Sequence, residues 1–127
     1  MLLDDRSINL WSYNLETILA EKLQTVLARG LLNTRMRDFY DIKTLLSIYE
    51  QDIDADVLKK AFETTCKKRN TENLKEEAPQ IMAAVSDDAQ LHTLWKSYQK
   101  KYPYAADISY EDIMESTMLL WGKFNNR

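Results

Sequence analysis

Residues 14–30 read NLETILAEKLQTVLARG, and apolar side chains recur in them every three or four positions. This spacing places the apolar side chains on one face of a helix. Asn14 suits the N-cap position, and Gly30 suits the position after the last turn. The stretch therefore predicts an amphipathic helix from Asn14 to about Arg29, with a buried stripe formed by Leu15, Ile18, Leu19, Leu23 and Val26.

A second helical stretch, RMRDFYDIKTLLSIY at residues 35–49, follows after a short connection. Its apolar spacing predicts a helix over residues 37–49. Asp38 lies in the first turn of this helix, where a carboxylate interacts favourably with the helix dipole. Arg35 and Arg37 stand beside it as candidate phosphate-binding residues, and simple solvation is the alternative.

Each of these two helices carries a charge on its apolar face. With Leu15 at 0° and about 100° per residue, Lys22 lies at about 340°, in the middle of the first stripe. On the second helix, Asp38 is centred on the apolar face and Asp41 lies at its edge. Because helices joined by a short loop usually pack antiparallel, we expect Lys22 to reach Asp38 in an ion pair or a charged pocket. The alternatives are a lysine that extends its amine to water and a pair that is purely structural.

The remainder of the chain is also helical in pattern. Apolar spacing predicts helices over 55–69, from Pro79 to about 85, over 91–102 and from Ser109 onward, where Ser-Tyr-Glu-Asp approximates a capping box. Residues 1–11 lack a helical period and are expected to form a short extended lead-in. With two Gly and two Pro in 127 residues, the chain is expected to be all-α, a five- to six-helix bundle in a single domain.

Composition excludes several classes of protein. The chain has 17 Lys and Arg against 20 Asp and Glu, and this net charge of −3 argues against a dedicated nucleic-acid coat. Cys66 is the single cysteine and cannot form an internal disulfide, while no leader and no apolar run of about 18 residues is present. We therefore expect a cytoplasmic protein without a membrane partner. The single His92 is expected to be interfacial, because no second metal ligand stands at a suitable spacing.

Two motifs resemble those of a known family. They are YNLETILAEKL at residues 13–23 and RMRDFYDI at residues 35–42. They look like the third and fourth motifs of the AbiEii/AbiGii family of nucleotidyltransferase-like toxins, from bacterial abortive-infection (type IV) toxin–antitoxin systems. A helix with Trp95 and Tyr98, followed by one led by Ser109, is similar to the end of that family. The likeness covers nearly the whole chain.

The resemblance implies roles for the charged residues. Lys22 would contact the phosphate of the nucleotide or of the transition state, and Asp38 would be a catalytic or phosphate-site carboxylate. Asp41 is a second candidate for that carboxylate, and Arg37 would be a neighbour, with Arg35 beside it. Nucleotidyl transfer depends on positioning and charge neutralisation, so a desolvated lysine beside carboxylates suits this chemistry.

The chain also departs from the family pattern. Members carry an N-terminal nucleotidyltransferase core with a Gly-Ser motif and a paired-carboxylate strand that holds Mg²⁺, whereas Gly30 and Gly122 are the only glycines here and no acidic pair is predicted on a strand. The chain therefore resembles the C-terminal helical half of such a toxin, with residues 1–11 as the remnant of the connection. We expect NTP and Mg²⁺ to belong to the full-length protein, no metal or cofactor in this chain, and no transfer by the chain alone.

The resemblance also implies partners. They are the missing N-terminal core, NTP, an acceptor such as tRNA or another RNA, and an antitoxin. The predicted third helix has a local charge of about +4, which suits contact with RNA but is also typical of a solvated face. The residues concerned are Lys59, Lys60, Lys67, Lys68 and Arg69.

The aromatic residues and the function each allow two interpretations from the sequence. The aromatic stripe of Trp95, Tyr98, Tyr102, Trp121 and Phe124 is expected to be core rather than a stacking platform. The alternative function is a stand-alone helical interaction module without catalysis. An interrupted enzyme should instead expose an apolar flank around Ile8 to Trp11, where the missing core would dock.

Overall fold

The computed structural model describes residues 5–125, and the side chains from residue 15 onward. Within this range the chain forms six α-helices and no strand, which confirms the expected all-α bundle. The helices are α1 (Asp5–Arg29), α2 (Arg37–Tyr49), α3 (Ala55–Lys68), α4 (Leu74–Asp87), α5 (Ala89–Lys101) and α6 (Tyr110–Asn125). Short 3₁₀ turns occupy Gly30–Leu32, Glu50–Asp52 and Pro103–Ala105. None of these described helices combines the length and the apolar character needed to cross a bilayer.

Two helices lie at the centre of the bundle. The first, α1, contacts α2, α3, α4 and α6, and α6 contacts α1, α2, α3 and α4. The core between them is apolar and well filled, with Phe39 of α2 and Phe62 of α3 almost fully buried. Because other helices cover α1 on several sides, its buried surface is wider than the single apolar stripe predicted from the sequence.

Side chains cap the beginnings of α3 and α6. The Asp54 carboxylate caps α3 by accepting hydrogen bonds from the backbone N–H groups of Asp56 and Val57. At the start of α6, Ser109 Oγ accepts from the Asp112 N–H at 3.0 Å, and the Ser109 N–H donates to the Asp112 carboxylate at 3.1 Å. This is the reciprocal arrangement of a capping box, so the predicted start of the last helix is confirmed.

The beginning of α1 differs from the prediction. The helix begins at Asp5 rather than at Asn14, and residues 5–11 are helical rather than an extended lead-in. This segment holds no Gly or Pro, and an asparagine inside a helix costs less than about 0.7 kcal/mol relative to alanine, so Asn14 does not stop the helix. The expected apolar flank at Ile8 to Trp11 concerns side chains outside the described ones.

The fourth helix also differs from the prediction, which began it at Pro79. Helix α4 begins five residues earlier, at Leu74, and contains Pro79 in its interior. A proline there removes one backbone hydrogen bond and clashes with the carbonyl four residues before it. Pro79 is exposed, and the opposite face buries Leu74, Ala78 and Met82 in the core. Tertiary packing of that face therefore outweighs the local preference of Pro79.

Replacing Pro79 by alanine should stabilise the protein. The Pro79→Ala variant regains the backbone N–H that can bond to the Lys75 carbonyl, so we expect the free energy of unfolding to rise by about 1–2 kcal/mol. Pro103→Ala is the matched control, because Pro103 stands at the start of a 3₁₀ turn and its change should stay within about 0.5 kcal/mol. Urea titrations of the two variants measure both values. A Pro79→Ala variant no more stable than Pro103→Ala would contradict this account of α4.

Candidate functional site

An ion cluster joins α1 to α2. The amine of Lys22 lies 2.7 Å from Asp41 Oδ2 and 3.4 Å from Asp38 Oδ1. The predicted contact between Lys22 and Asp38 is therefore confirmed, although Asp41 is the closer partner. The carboxylates of Asp38 and Asp41 stand one turn apart near the start of α2, and both face the Lys22 amine. We refer to Lys22, Asp38 and Asp41 as the ion cluster.

The ion cluster lies at the edge of the core rather than in its centre. Lys22 keeps 25% of its side chain exposed, Asp38 12% and Asp41 22%. The reason is that α1 buries a wider arc than its apolar stripe, since Glu16, Ala20 and Leu27 are buried as well. Lys22 therefore borders the buried arc instead of occupying its middle, and its amine stays within reach of a ligand from solvent.

The two arginines stand beside this cluster in different ways. Arg37 Nε lies 3.8 Å from Asp41 Oδ2, and 76% of the Arg37 side chain is exposed. Arg35 is exposed, and its backbone N–H donates to Asn33 Oδ1 at 2.9 Å. The positive charges of Lys22 and Arg37 match the two carboxylates, so an approaching anion meets a neutral cluster with one largely free guanidinium.

A divalent cation does not fit this cluster as it stands. Among the described residues, no group of three or more His, Cys, Asp or Glu side chains is placed to hold a metal ion. Both carboxylates of the ion cluster are already in contact with the Lys22 amine. Magnesium requires oxygen ligands around it in octahedral geometry, and an ammonium group in contact with those oxygens occupies the same space.

Sequence reasoning missed two buried polar side chains that fix the connections and helices around α1. Asn33 is fully buried, and its hydrogen bond from Arg35 fixes the connection that leads into α2. Glu16 is also buried, and its carboxylate accepts the Asp54 N–H at 2.9 Å, which holds the start of α3 against α1. Periodicity places Glu16 beside the apolar stripe, but only the packing of α3 shows that it is covered.

The basic residues of the third helix do not form one surface. All five are exposed. Lys60, Lys68 and Arg69 line a groove of about 470 Å³ between α1 and α3, whereas Lys67 lines a separate groove of about 310 Å³ beside Cys66. Lys59 lines neither of these two grooves. The predicted basic set is therefore divided between at least two surfaces.

One of those basic residues already has several partners. The Arg69 guanidinium donates to Gln24 Oε1, lies 3.3 Å from Thr25 Oγ1 and lies 3.4 Å from the Glu21 carboxylate. Gln24 is buried and donates to Thr71 Oγ1 at 3.1 Å. Arg69 thus ties the end of α3 to α1, which is a structural role.

The predicted aromatic stripe separates into two groups. Trp121 and Phe124 are buried against Phe62, at ring-centroid distances of 5.6 and 5.3 Å. Trp95 is also buried, and its Nε1 donates to the Ile108 carbonyl at 2.9 Å. These three members of the stripe are core, as expected.

The other two members, Tyr98 and Tyr102, are only partly buried. Together with Tyr40 and Tyr104, which the sequence did not single out, they form a group of four rings beside the ion cluster. Burial and the hydrogen bond to Tyr104 raise the pKa of Tyr98; the Arg37 charge lowers this pKa slightly, and the Asp41 charge raises it slightly. Tyr98 is therefore close enough to Arg37 and to Asp41 of the ion cluster for their charges to act on its hydroxyl group.

His92 and Cys66 take part in packing. The His92 ring lies 3.8 Å from the Tyr110 ring, and its Nδ1 is 2.8 Å from the Asp88 carbonyl oxygen. Burial raises the pKa of the Cys66 thiol, so the thiolate form is disfavoured.

The two carboxylates should couple unequally to the lysine. We expect a double-mutant cycle of Lys22→Met with Asp41→Asn to give a coupling energy of about 1–2 kcal/mol, and the cycle with Asp38→Asn to give less, because the second contact is longer. The exposed pair of Lys75 and Glu63, at 2.9 Å, is the control and should give less than about 0.5 kcal/mol. Equal couplings for all three pairs, measured by urea unfolding, would contradict the special position of Lys22.

Tyr98 should make the protein less stable in alkali. A raised folded-state pKa means that the folded protein keeps this proton after the unfolded chain begins to lose it near about pH 10. The contribution to stability is therefore complete below about pH 10 and is lost as the pH rises above it. Tyr98→Phe should flatten the fall in thermal midpoint between pH 9.5 and 11, roughly, relative to the parent protein. An unchanged fall would show that other groups govern it.

Comparison with known proteins identifies one family. Residues 1–116 match the family model described as "Nucleotidyl transferase AbiEii toxin, Type IV TA system". No curated protein and no solved structure gives a significant match to the chain. The matched range includes both motifs that carry the resemblance and the whole ion cluster, so the resemblance is confirmed.

Proposed function

The chain belongs to the AbiEii family of nucleotidyl transferase toxins of type IV toxin–antitoxin systems, and from this membership we propose that its bundle contributes Lys22, Asp38 and Asp41 to an NTP-dependent nucleotidyl transfer site. The observation that supports the proposal is the lysine amine held at 2.7 and 3.4 Å from two carboxylates of the next helix.

In this proposal the carboxylates position the lysine. A lysine amine has three N–H donors, and Asp38 and Asp41 accept two of them. The third donor is left for a phosphate oxygen, and the fixed positive charge offsets negative charge that develops during transfer. The exposed guanidinium of Arg37 is placed to bind the same phosphates in a bidentate manner, with Arg35 nearby.

The proposal assigns the metal to a different part of the enzyme. In nucleotidyl transfer Mg²⁺ neutralises phosphate charge, and this bundle offers no free carboxylate pair for it among the described residues. A nucleotidyltransferase core with a Gly-Ser turn and a carboxylate pair would have to supply that site. We therefore propose that this bundle is the C-terminal helical region of the toxin and that it is inactive without such a core.

The family also bears on partners. A toxin of a type IV system implies a cognate antitoxin. NTP is the proposed nucleotide donor, and tRNA or another RNA is the proposed acceptor. Because nucleoside triphosphates are cytoplasmic metabolites, the proposal includes a cytoplasmic location.

The test is transfer of label from α-³²P-NTPs to total RNA and protein. One sample is the purified 127-residue chain, and the other is the product of the gene with its native upstream sequence. We expect labelling only by the second product. Lys22→Met and Asp41→Asn in that product should each reduce labelling at least about a hundredfold. Lys22→Arg should not restore it, because a guanidinium does not fit between the two carboxylates as a point charge does. Lys75→Met, at an exposed ion pair, is the matched control and should leave labelling unchanged.

Several outcomes would overturn the proposal. Labelling by the 127-residue chain alone would show that the bundle needs no core. Unchanged labelling by the Lys22→Met product would remove the ion cluster from the site. An upstream sequence without a Gly-Ser turn and an acidic strand would instead favour a stand-alone helical interaction module.

A further inference from the structure

Four tyrosine rings gather where α2, α5 and the Pro103–Ala105 turn meet. Tyr40 comes from α2, Tyr98 comes from α5, Tyr102 directly follows α5, and Tyr104 comes from the turn. Ring centroids lie 4.7 Å apart for Tyr40 and Tyr104, 4.7 Å for Tyr98 and Tyr102, and 5.4 Å for Tyr102 and Tyr104. We refer to these four residues as the tyrosine cluster.

Contacts with the core and with the neighbouring turn hold the tyrosine cluster rigid. The Tyr98 ring stacks on the buried Trp95 at 5.2 Å with an interplanar angle of 14°. The hydroxyl groups of Tyr98 and Tyr104 share a hydrogen bond of 2.7 Å. Gln99 donates to the Ala105 carbonyl at 3.3 Å and to the Ile108 carbonyl at 2.6 Å, which fixes the turn that carries Tyr104. The rings are thus ordered before any ligand arrives, which lowers the entropic cost of binding.

The outer side of the tyrosine cluster is open and bordered by cations. Tyr104 keeps 50% of its surface exposed although three other rings surround it. The Lys101 amine lies 5.5 Å from the centre of the Tyr102 ring. The exposed Arg37 of α2 is close enough for its charge to act on the Tyr98 hydroxyl. The Asp41 carboxylate also acts on the Tyr98 hydroxyl, and it is paired with the Lys22 amine.

We propose that the tyrosine cluster binds the bases of a single-stranded polynucleotide, with Arg37 and Lys101 contacting its phosphates. Exposed aromatic rings flanked by cations are the combination by which proteins bind single strands, because every base has a face to stack and every linkage carries a negative charge. A proline-rich peptide also packs on tyrosines, but it would gain nothing from the two cations. The inference goes beyond the proposed function, since binding at these rings requires neither NTP nor the ion cluster.

The experiment compares two ligands that carry the same number of phosphates. One is a fluorescein-labelled single-stranded RNA of eight pyrimidine nucleotides, and the other is an abasic strand of the same length. Fluorescence anisotropy with the purified 127-residue chain at low salt measures both affinities. We expect the RNA to bind at least about fivefold more tightly than the abasic strand, because stacking on aromatic rings adds to the phosphate contacts.

Variants locate the binding. Tyr104→Leu removes the exposed ring and should weaken RNA binding about tenfold while leaving the abasic strand unchanged. Tyr104→Phe keeps the ring and should retain most of the affinity. Arg37→Gln should weaken binding of both strands. Its matched control is Lys123→Gln, because Lys123 pairs with Glu50 just beyond the far end of α2, about 20 Å along the helix from Arg37.

The outcomes separate this proposal from the transfer site. Tyr104→Leu should weaken RNA binding whether or not the bundle takes part in nucleotidyl transfer, because the binding experiment contains neither NTP nor a nucleotidyltransferase core. Equal affinity for the two strands, or unchanged RNA affinity in Tyr104→Leu, would overturn the proposal. Circular dichroism checks that each variant folds, and the comparison of the two strands with the parent protein tests for a contribution of the bases without any variant. A tyrosine cluster occupied by a second copy of the chain, seen as a dimer by sedimentation that Tyr104→Leu dissociates, would also overturn it.

Discussion

The burial of α1 is the constraint on which the rest of the bundle depends. Four other helices cover α1, so each polar side chain in the covered part must find a partner or leave a costly unpaired group. Lys22 is paired with two carboxylates of α2, Glu16 with the backbone at the start of α3, and Gln24 with Thr71 and Arg69 beyond the end of α3. These bonds set where the neighbouring helices lie against α1. The polar residues of the central helix therefore define the arrangement of the bundle as much as its leucines do.

The same constraint explains why the candidate site lies between α1 and α2. A lysine at the border of a buried arc can keep its stem in the core and its amine at the surface. Two carboxylates on the facing helix hold that amine in one place. Positioned charge of this kind is what phosphate chemistry requires, because a charge that is already oriented needs no rearrangement during the reaction. The tyrosine cluster adjoins the ion cluster through α2. Tyr40 belongs to the tyrosine cluster, and the next residue, Asp41, belongs to the ion cluster.

Parts of this arrangement could be predicted from the chain, and others could not. The contact of Lys22 with α2 follows from two helical periods and a short connection, but the choice of Asp41 over Asp38 as the closer partner depends on the relative rotation of the two helices. The burial of Glu16 and Asn33 depends on which helix covers them. Tyr104 lies in a 3₁₀ turn that no periodicity marks, and its neighbours come from residues 40, 98 and 102. The local prediction at Pro79 was wrong because this proline lies on the exposed side of α4, and the packing of the opposite face outweighs its destabilising effect on the helix.

The sequence by itself determined the helical class, the boundaries of α2, the capping box of α6 and the family. These follow from local chemistry: the spacing of apolar residues, the bonding capacity of a cap, the scarcity of Gly and Pro, and two short motifs. Only the tertiary structure decided which carboxylate meets Lys22 most closely, how the basic residues at α3 are divided between grooves, and that four tyrosines meet. Those features depend on contacts between residues far apart in the chain, and such contacts depend on the packing of whole helix faces, which no local pattern encodes.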